Sequence, residues 1–257
     1  MPSRAFPPLF GLYLKALLRN PWAWAPAPAL LGFALVFAAR GREVGLVSTF
    51  ALALLALPPL WLALAVPLLA EREEWAFWSA YPGKAARLYR SGALGAAAGL
   101  LVPLLVGSGL VGAGLGLDLG RTLELFVLLG LVAVYWSGVA ALAAAVAPDP
   151  ARALGMGLAL WAALALLYEP VVVGLAVALA DWPLETPLLV AVLANPMELA
   201  RVSLLESLGV PVLVGPVGYL LDRILGYGGL ALPLGVFAFW SLLFFALAGW
   251  VFARRDR

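Results

Sequence analysis

Of 257 residues, 65% are hydrophobic and only 12% are charged, and the mean hydropathy is +1.04. A water-soluble domain needs about a quarter of its residues charged, so a soluble fold is excluded. The chain has no cysteine and no histidine, which removes disulfides, thiol nucleophiles, haem ligation, serine–histidine catalysis and histidine-built metalloprotease centres.

Apolar stretches of about 20 residues recur, each long enough to cross ~30 Å of hydrocarbon. Every backbone amide must be satisfied internally there, and no period-2 alternation of a barrel is present, so the stretches read as helices. The expected fold is all-α and integral to the membrane, a single transmembrane domain over residues 1–257.

Residues 6–20 come first. Pro7 and Pro8 open a short helix and Asn20-Pro21 closes it. Phe10, Tyr13, Leu14, Leu17 and Leu18 repeat at helical spacing, while Lys15 and Arg19 hold a polar face. That pattern predicts an amphipathic helix lying at the membrane interface; a charged flank of the first span is the plainer alternative.

Six spans follow, at 22–39, 44–70, 92–117, 122–147, 152–178 and 229–253. Pro58, Pro59 and Pro67 interrupt the second, which spans tolerate when neighbours cover the freed carbonyls. With the N-terminus inside, eleven basic residues fall on the inner side and five on the outer. The positive-inside rule then puts both termini in the cytoplasm and the chain in the inner membrane.

The richest charge cluster is the inner segment 71–90, with Glu71, Arg72, Glu73 and Glu74 at its start and Lys84, Arg87 and Arg90 at its end. Acids before bases match a helix dipole, and Trp75, Phe77, Trp78 and Tyr81 add aromatic area. Tyr81-Pro82 bends the chain out of the helix. A docking helix for a cytoplasmic partner and a solvated loop with snorkelling bases are the two readings.

In the fifth span, Glu169 lies 17 residues beyond Arg152, roughly 25 Å along a helix. It therefore either lines an outer cavity or is solvated at the end of the span. Residues 181–228 are too short and too broken to span. Asn195-Pro196 stops an apolar run, and Glu198, Arg201 and Glu206 mark a mixed helix. This region is expected outside, as short re-entrant helices dipping into the outer leaflet. No Gly-rich phosphate loop occurs, so ATP is not expected on this chain.

This order of elements resembles the type-2 ABC exporter permeases, which share an amphipathic N-terminal helix, six spans, a coupling helix after the second span and short external helices before the sixth. More narrowly it resembles the membrane subunit of the ABC complex that matures nitrous oxide reductase (the NosY type). The segment Asn195-Pro196-Met197-Glu198 with Arg201 resembles that family's Asn-Pro-x-Asp/Glu-x-x-Arg, and Trp161 preceding Glu169 resembles its fifth span. Tyr81-Pro82 before Lys84 resembles its Tyr-Pro turn. Trp75-Ala76-Phe77 departs from the family's Gly-Thr-Leu, as Ser91-Gly92 does from its Gly-Lys.

The resemblance implies a homodimer with two ATP-binding subunits that carry ATP and magnesium, and an external maturation protein. The cargo is then a sulfur species, or the complex does mechanical work on that partner. It assigns coupling to Glu71, Arg72, Glu73, Glu74, Tyr81, Pro82, Lys84 and Arg87. Trp161, Tyr168 and Glu169 fall to the translocation path or outer cavity, and Asn195, Pro196, Glu198 and Arg201 to contact with the external partner. No metal site, nucleic-acid partner or catalytic residue is expected. The alternatives are an exporter of another cargo (lipid, drug or haem-related), a proton-coupled transporter working through Glu169, and a polytopic membrane enzyme.

Overall fold

The computed structural model describes residues 7–71, 85–179, 181–182, 185–209 and 230–255. Helices account for nearly all of them, as an apolar solvent demands of any backbone it surrounds. Six stretches are long and apolar enough to cross a membrane. The first is α2 (Pro21–Trp24) with α3 (Pro26–Ala38). It is followed by α4 (Arg42–Ala70), α5 (Ala85–Leu115) and α6 (Leu119–Val146). The fifth is α7 (Pro150–Ala162), running through a π turn (Ala163–Leu167) into α8 (Tyr168–Ala178). Two shorter helices, α9 (Glu185–Ala194) and α10 (Pro196–Ser207), precede the last span, α11 (Ala231–Arg255).

The six expected spans are all present, with one notable shift: α5 begins at Ala85 rather than residue 92. Its 31 residues make a rod of roughly 46 Å, longer than the hydrocarbon, so its first turns with Arg87 and Arg90 project beyond it. Pro58, Pro59 and Pro67 all stay inside α4. The spans alternate in direction, which brings the start of α5, the end of α6, the start of α7 and the end of α11 to one end of the bundle, called here the near end.

The core is built around α6, the most buried span, whereas the fifth span is the most exposed. Trp136 on α6 is fully enclosed, and Tyr135 meets Phe237 and Phe244 of α11 edge-on. Two buried hydroxyls bond within their own helices: Thr49 Oγ1 donates to the Gly45 carbonyl at 2.7 Å and Ser137 Oγ to that of Ala133 at 2.8 Å.

The N-terminal helix α1 (Pro7–Arg19) packs along the first half of α5. Its buried stripe is Leu9, Tyr13 and Leu17, a slight rotation from the expected face that leaves Phe10, Leu14 and Leu18 half-buried. Lys15 and Arg19 are exposed on the other side, as expected. A Cβ on Gly95 would strike the Phe10 carbonyl oxygen, and one on Gly99 would lie 2.8 Å from Leu17 Cβ. Small residues here let two backbones approach closely.

Between the fifth and sixth spans, α9 and α10 differ in direction by 106°. A bend beyond a right angle reverses the chain's progress, so the pair is a re-entrant hairpin rather than one broken span. Its corner is deep. Trp240 Nε1 of α11 donates to the Leu193 carbonyl at 3.3 Å, and Trp240 lies roughly 14 Å inside the start of α11. From there α10 climbs back to the far end, where Arg121 in the first turn of α6 holds its last residue. Arg121 Nη1 donates to Ser207 Oγ at 2.9 Å and Nη2 to the Ser207 carbonyl at 2.5 Å. A guanidinium at a helix C-terminus answers both the unpaired carbonyls and the dipole. The short re-entrant helices expected from residues 181–228 are therefore present in α9 and α10; residues 210–229 lie outside the described part.

Candidate functional site

Asn195 is the residue that makes the corner. Its backbone N–H closes α9 on the Ala191 and Val192 carbonyls. Its own conformation is extended (φ −111°, ψ 96°), as a residue before proline prefers. Its Oδ1 then accepts from the N–H groups of Met197 and Glu198 at 3.1 and 3.4 Å. With Pro196 in the first helical position this is a complete N-terminal cap.

The other end of the Asn195 side chain reaches a different span. Nδ2 donates to the Leu164 carbonyl at 3.0 Å, and Leu164 belongs to the π turn of the fifth span. A π turn inserts one residue and leaves a carbonyl poorly served by its own helix, so an outside donor is the natural complement. The extra residue also rotates α8 against α7 by roughly 100°. Leu164, Ala165, Tyr168 and Glu169 share one face, as residues at i, i+1, i+4 and i+5 do on a helix, and all four border a cleft.

That cleft holds about 220 Å³. From the hairpin it is lined by Asn195, Met197, Glu198 and Arg201, and from α4 by Ala51, Leu54 and Leu55. Pro58 and Pro59 have no N–H to give to the carbonyls one turn earlier, and those carbonyls belong to Leu54 and Leu55. Three backbone interruptions thus meet here: a proline pair, a π turn and a hairpin corner.

The side chains are equally unusual for this depth. Arg201 makes a two-pronged ion pair with Glu198, Nε to Oε2 at 2.9 Å and Nη2 to Oε1 at 2.6 Å. The Tyr168 hydroxyl is buried and has no hydrogen-bond partner among the described residues. Glu169 is exposed at the rim. With Glu198 paired to Arg201, the Glu169 carboxylate is the remaining acidic group bordering the cleft.

Two sets of residues that the sequence placed separately are therefore one site. Tyr168 and Glu169, expected on a translocation path or outer cavity, face Asn195, Glu198 and Arg201, expected to contact an external partner. Pro196 is buried beneath them. Trp161 does not border the cleft; it packs against the core, with its indole N–H buried and unpartnered among the described residues. Of the coupling candidates, Glu71 and Arg87 are exposed at the near end. Arg72, Glu73, Glu74, Tyr81, Pro82 and Lys84 lie outside the described residues.

The α4 wall had no site residue in the sequence reading, although Pro58-Pro59 carried the signal, since such a pair exposes two consecutive carbonyls. Among the described residues no group of three or more acidic side chains is placed to hold a metal. No protein-family model matches the chain, and no curated protein is similar to it.

Proposed function

We propose that this chain is the membrane-embedded permease subunit of an ATP-driven exporter, with the cleft between α4, the π-turned fifth span and the hairpin as its site of contact with cargo. The observation that supports this most is the meeting of three interrupted segments around Tyr168, Glu169, Asn195, Glu198 and Arg201. Polar side chains are costly at membrane depth and mark functional sites. Discontinuous helices with uncommitted backbone groups are how membrane transporters build binding sites. The sequence supports the energy source: it carries no phosphate loop, it has a charged and aromatic segment at 71–90, and its order of elements resembles the type-2 permeases. That resemblance extends the proposal to copper-site maturation of nitrous oxide reductase, through a sulfur species or mechanical action on an external partner.

The test has two arms. Purification of the native complex in mild detergent is expected to co-elute an ATP-binding subunit, and reversal of Glu73 and Glu74 to Lys is expected to weaken that association by on the order of 2–5 kcal/mol. In proteoliposomes, Tyr168→Phe and Glu169→Gln are expected to reduce ATP-dependent transport while the complex stays assembled. Transport that collapses with an uncoupler and ignores ATP would replace this reading with a proton-coupled transporter working through Glu169.

A further inference from the structure

A second cleft lies at the near end, between the start of α5 and the end of α11, away from the interrupted spans. It holds about 520 Å³ and is bordered by Arg90 of α5 and by Ala246, Gly249, Trp250, Ala253 and Arg254 of α11. Two arginines facing one space repel each other, so their arrangement needs a cause. Neither has an acidic partner among the described residues, whose ion pairs are Arg121–Glu124, Arg152–Asp149 and Arg201–Glu198.

Both guanidinium groups are nevertheless held in place. Arg90 Nε donates to the Ala86 carbonyl at 3.1 Å, which leaves its terminal nitrogens without a partner among the described residues. Its aliphatic stem crosses α11 at Gly249, where an added Cβ would come within 3.0 Å of Arg90 Cγ and Cδ. The Arg254 guanidinium lies 3.8 Å above the centre of the Trp250 ring, a cation–π arrangement that fixes its plane. Beneath the cleft, Tyr89 of α5 stacks on Phe252 of α11 with ring centres 4.3 Å apart, and the Tyr89 hydroxyl donates to the Ala141 carbonyl of α6 at 2.7 Å. The two walls are therefore clamped together.

We propose that this cleft binds the phosphate headgroup of an anionic phospholipid. Paired arginines match phosphate oxygens with parallel N–H donors, and basic clefts between spans at a membrane surface are where such headgroups sit. A lipid is favoured over a free anion by what lies below. The cleft residues Ala246, Trp250 and Ala253 continue along one side of α11 into Leu242 and Phe239, at helical spacing. Trp250, Leu242 and Phe239 are 52%, 70% and 61% exposed. That apolar stripe leads from the phosphate position into the hydrocarbon and gives acyl chains a track.

The experiment uses the full chain, delipidated in detergent, with native mass spectrometry reading retained lipid as phosphatidylglycerol or phosphatidylcholine is titrated. Phosphatidylglycerol is expected to bind tighter. Arg90→Gln and Arg254→Gln should each weaken it by about fivefold and the double variant by roughly twenty-five-fold, with phosphatidylcholine unchanged. Gly249→Val displaces the Arg90 stem without altering charge and should lower phosphatidylglycerol binding on its own. Arg40→Gln, at the far end, should not. Equal retention of the two lipids, or an unchanged preference in the double variant, overturns the proposal. Millimolar inorganic phosphate displacing phosphatidylglycerol completely would overturn the lipid assignment in favour of a free-anion site.

Discussion

Asn195 ends α9 through its backbone and serves α10 and the fifth span with its side chain, and the side chain's two contributions are separable by substitution. Asn195→Ser keeps a capping oxygen but cannot reach Leu164, and should cost about 0.5–1.5 kcal/mol. Asn195→Ala also removes the cap and should cost about 1 kcal/mol more. Unfolding in detergent, followed by helix content, ranks the two; equal losses would show that the cap at Met197 and Glu198 adds nothing. The helix start was legible in the sequence, because an Asn-Pro pair with an acid three residues before a base describes a cap and an i, i+3 ion pair. The bond to Leu164 was not. The π turn is made only of alanine and leucine, residues equally at home in an α-helix, so no composition change marks the carbonyl that Asn195 complements.

Helix α5 shows the same division between pattern and packing. That α1 is amphipathic follows from its spacing, but its docking against Gly95 and Gly99 depends on which glycines face it. Gly109, on the same helix, has nothing within 4 Å of an added Cβ. Gly95→Val should therefore displace α1, since the clash is with Phe10 backbone that cannot rotate away. Gly109→Ala should be neutral or stabilising by up to about 1 kcal/mol. Protease sensitivity of the bond after Arg19 reads the first effect and thermal unfolding the second. An α1 that stays protected in Gly95→Val would show that it is held by the lipid surface and not by α5. Both glycines look alike in the sequence; only the crossing of two helices distinguishes them.

The whole molecule is legible where composition decides and obscure where direction decides. Six crossings follow from hydropathy, yet the run 185–207 taken as one piece is long and apolar enough for a seventh, and only the 106° bend between α9 and α10 assigns it to a hairpin. The difference is measurable in this cysteine-free chain. Single cysteines at positions 40 and 118 should label with an impermeant reagent from one side of the membrane, and those at 71 and 149 from the other. A cysteine at 209 should follow the first pair; labelling with the second would make the hairpin a span. The hairpin also has a consequence for assembly. A membrane chain emerges N-terminus first, and the tethers of α9 and α10 do not emerge together. Arg121 and Leu164 are already in place when the hairpin is synthesised, whereas Trp240 follows the Leu193 carbonyl by 47 residues. Until α11 inserts, the hairpin lacks the wall formed by Leu232 and Val236. The cleft around Asn195 is thus completed only by the last span to be made, and a chain truncated before α11 retains every residue of the site without the means to hold them at depth.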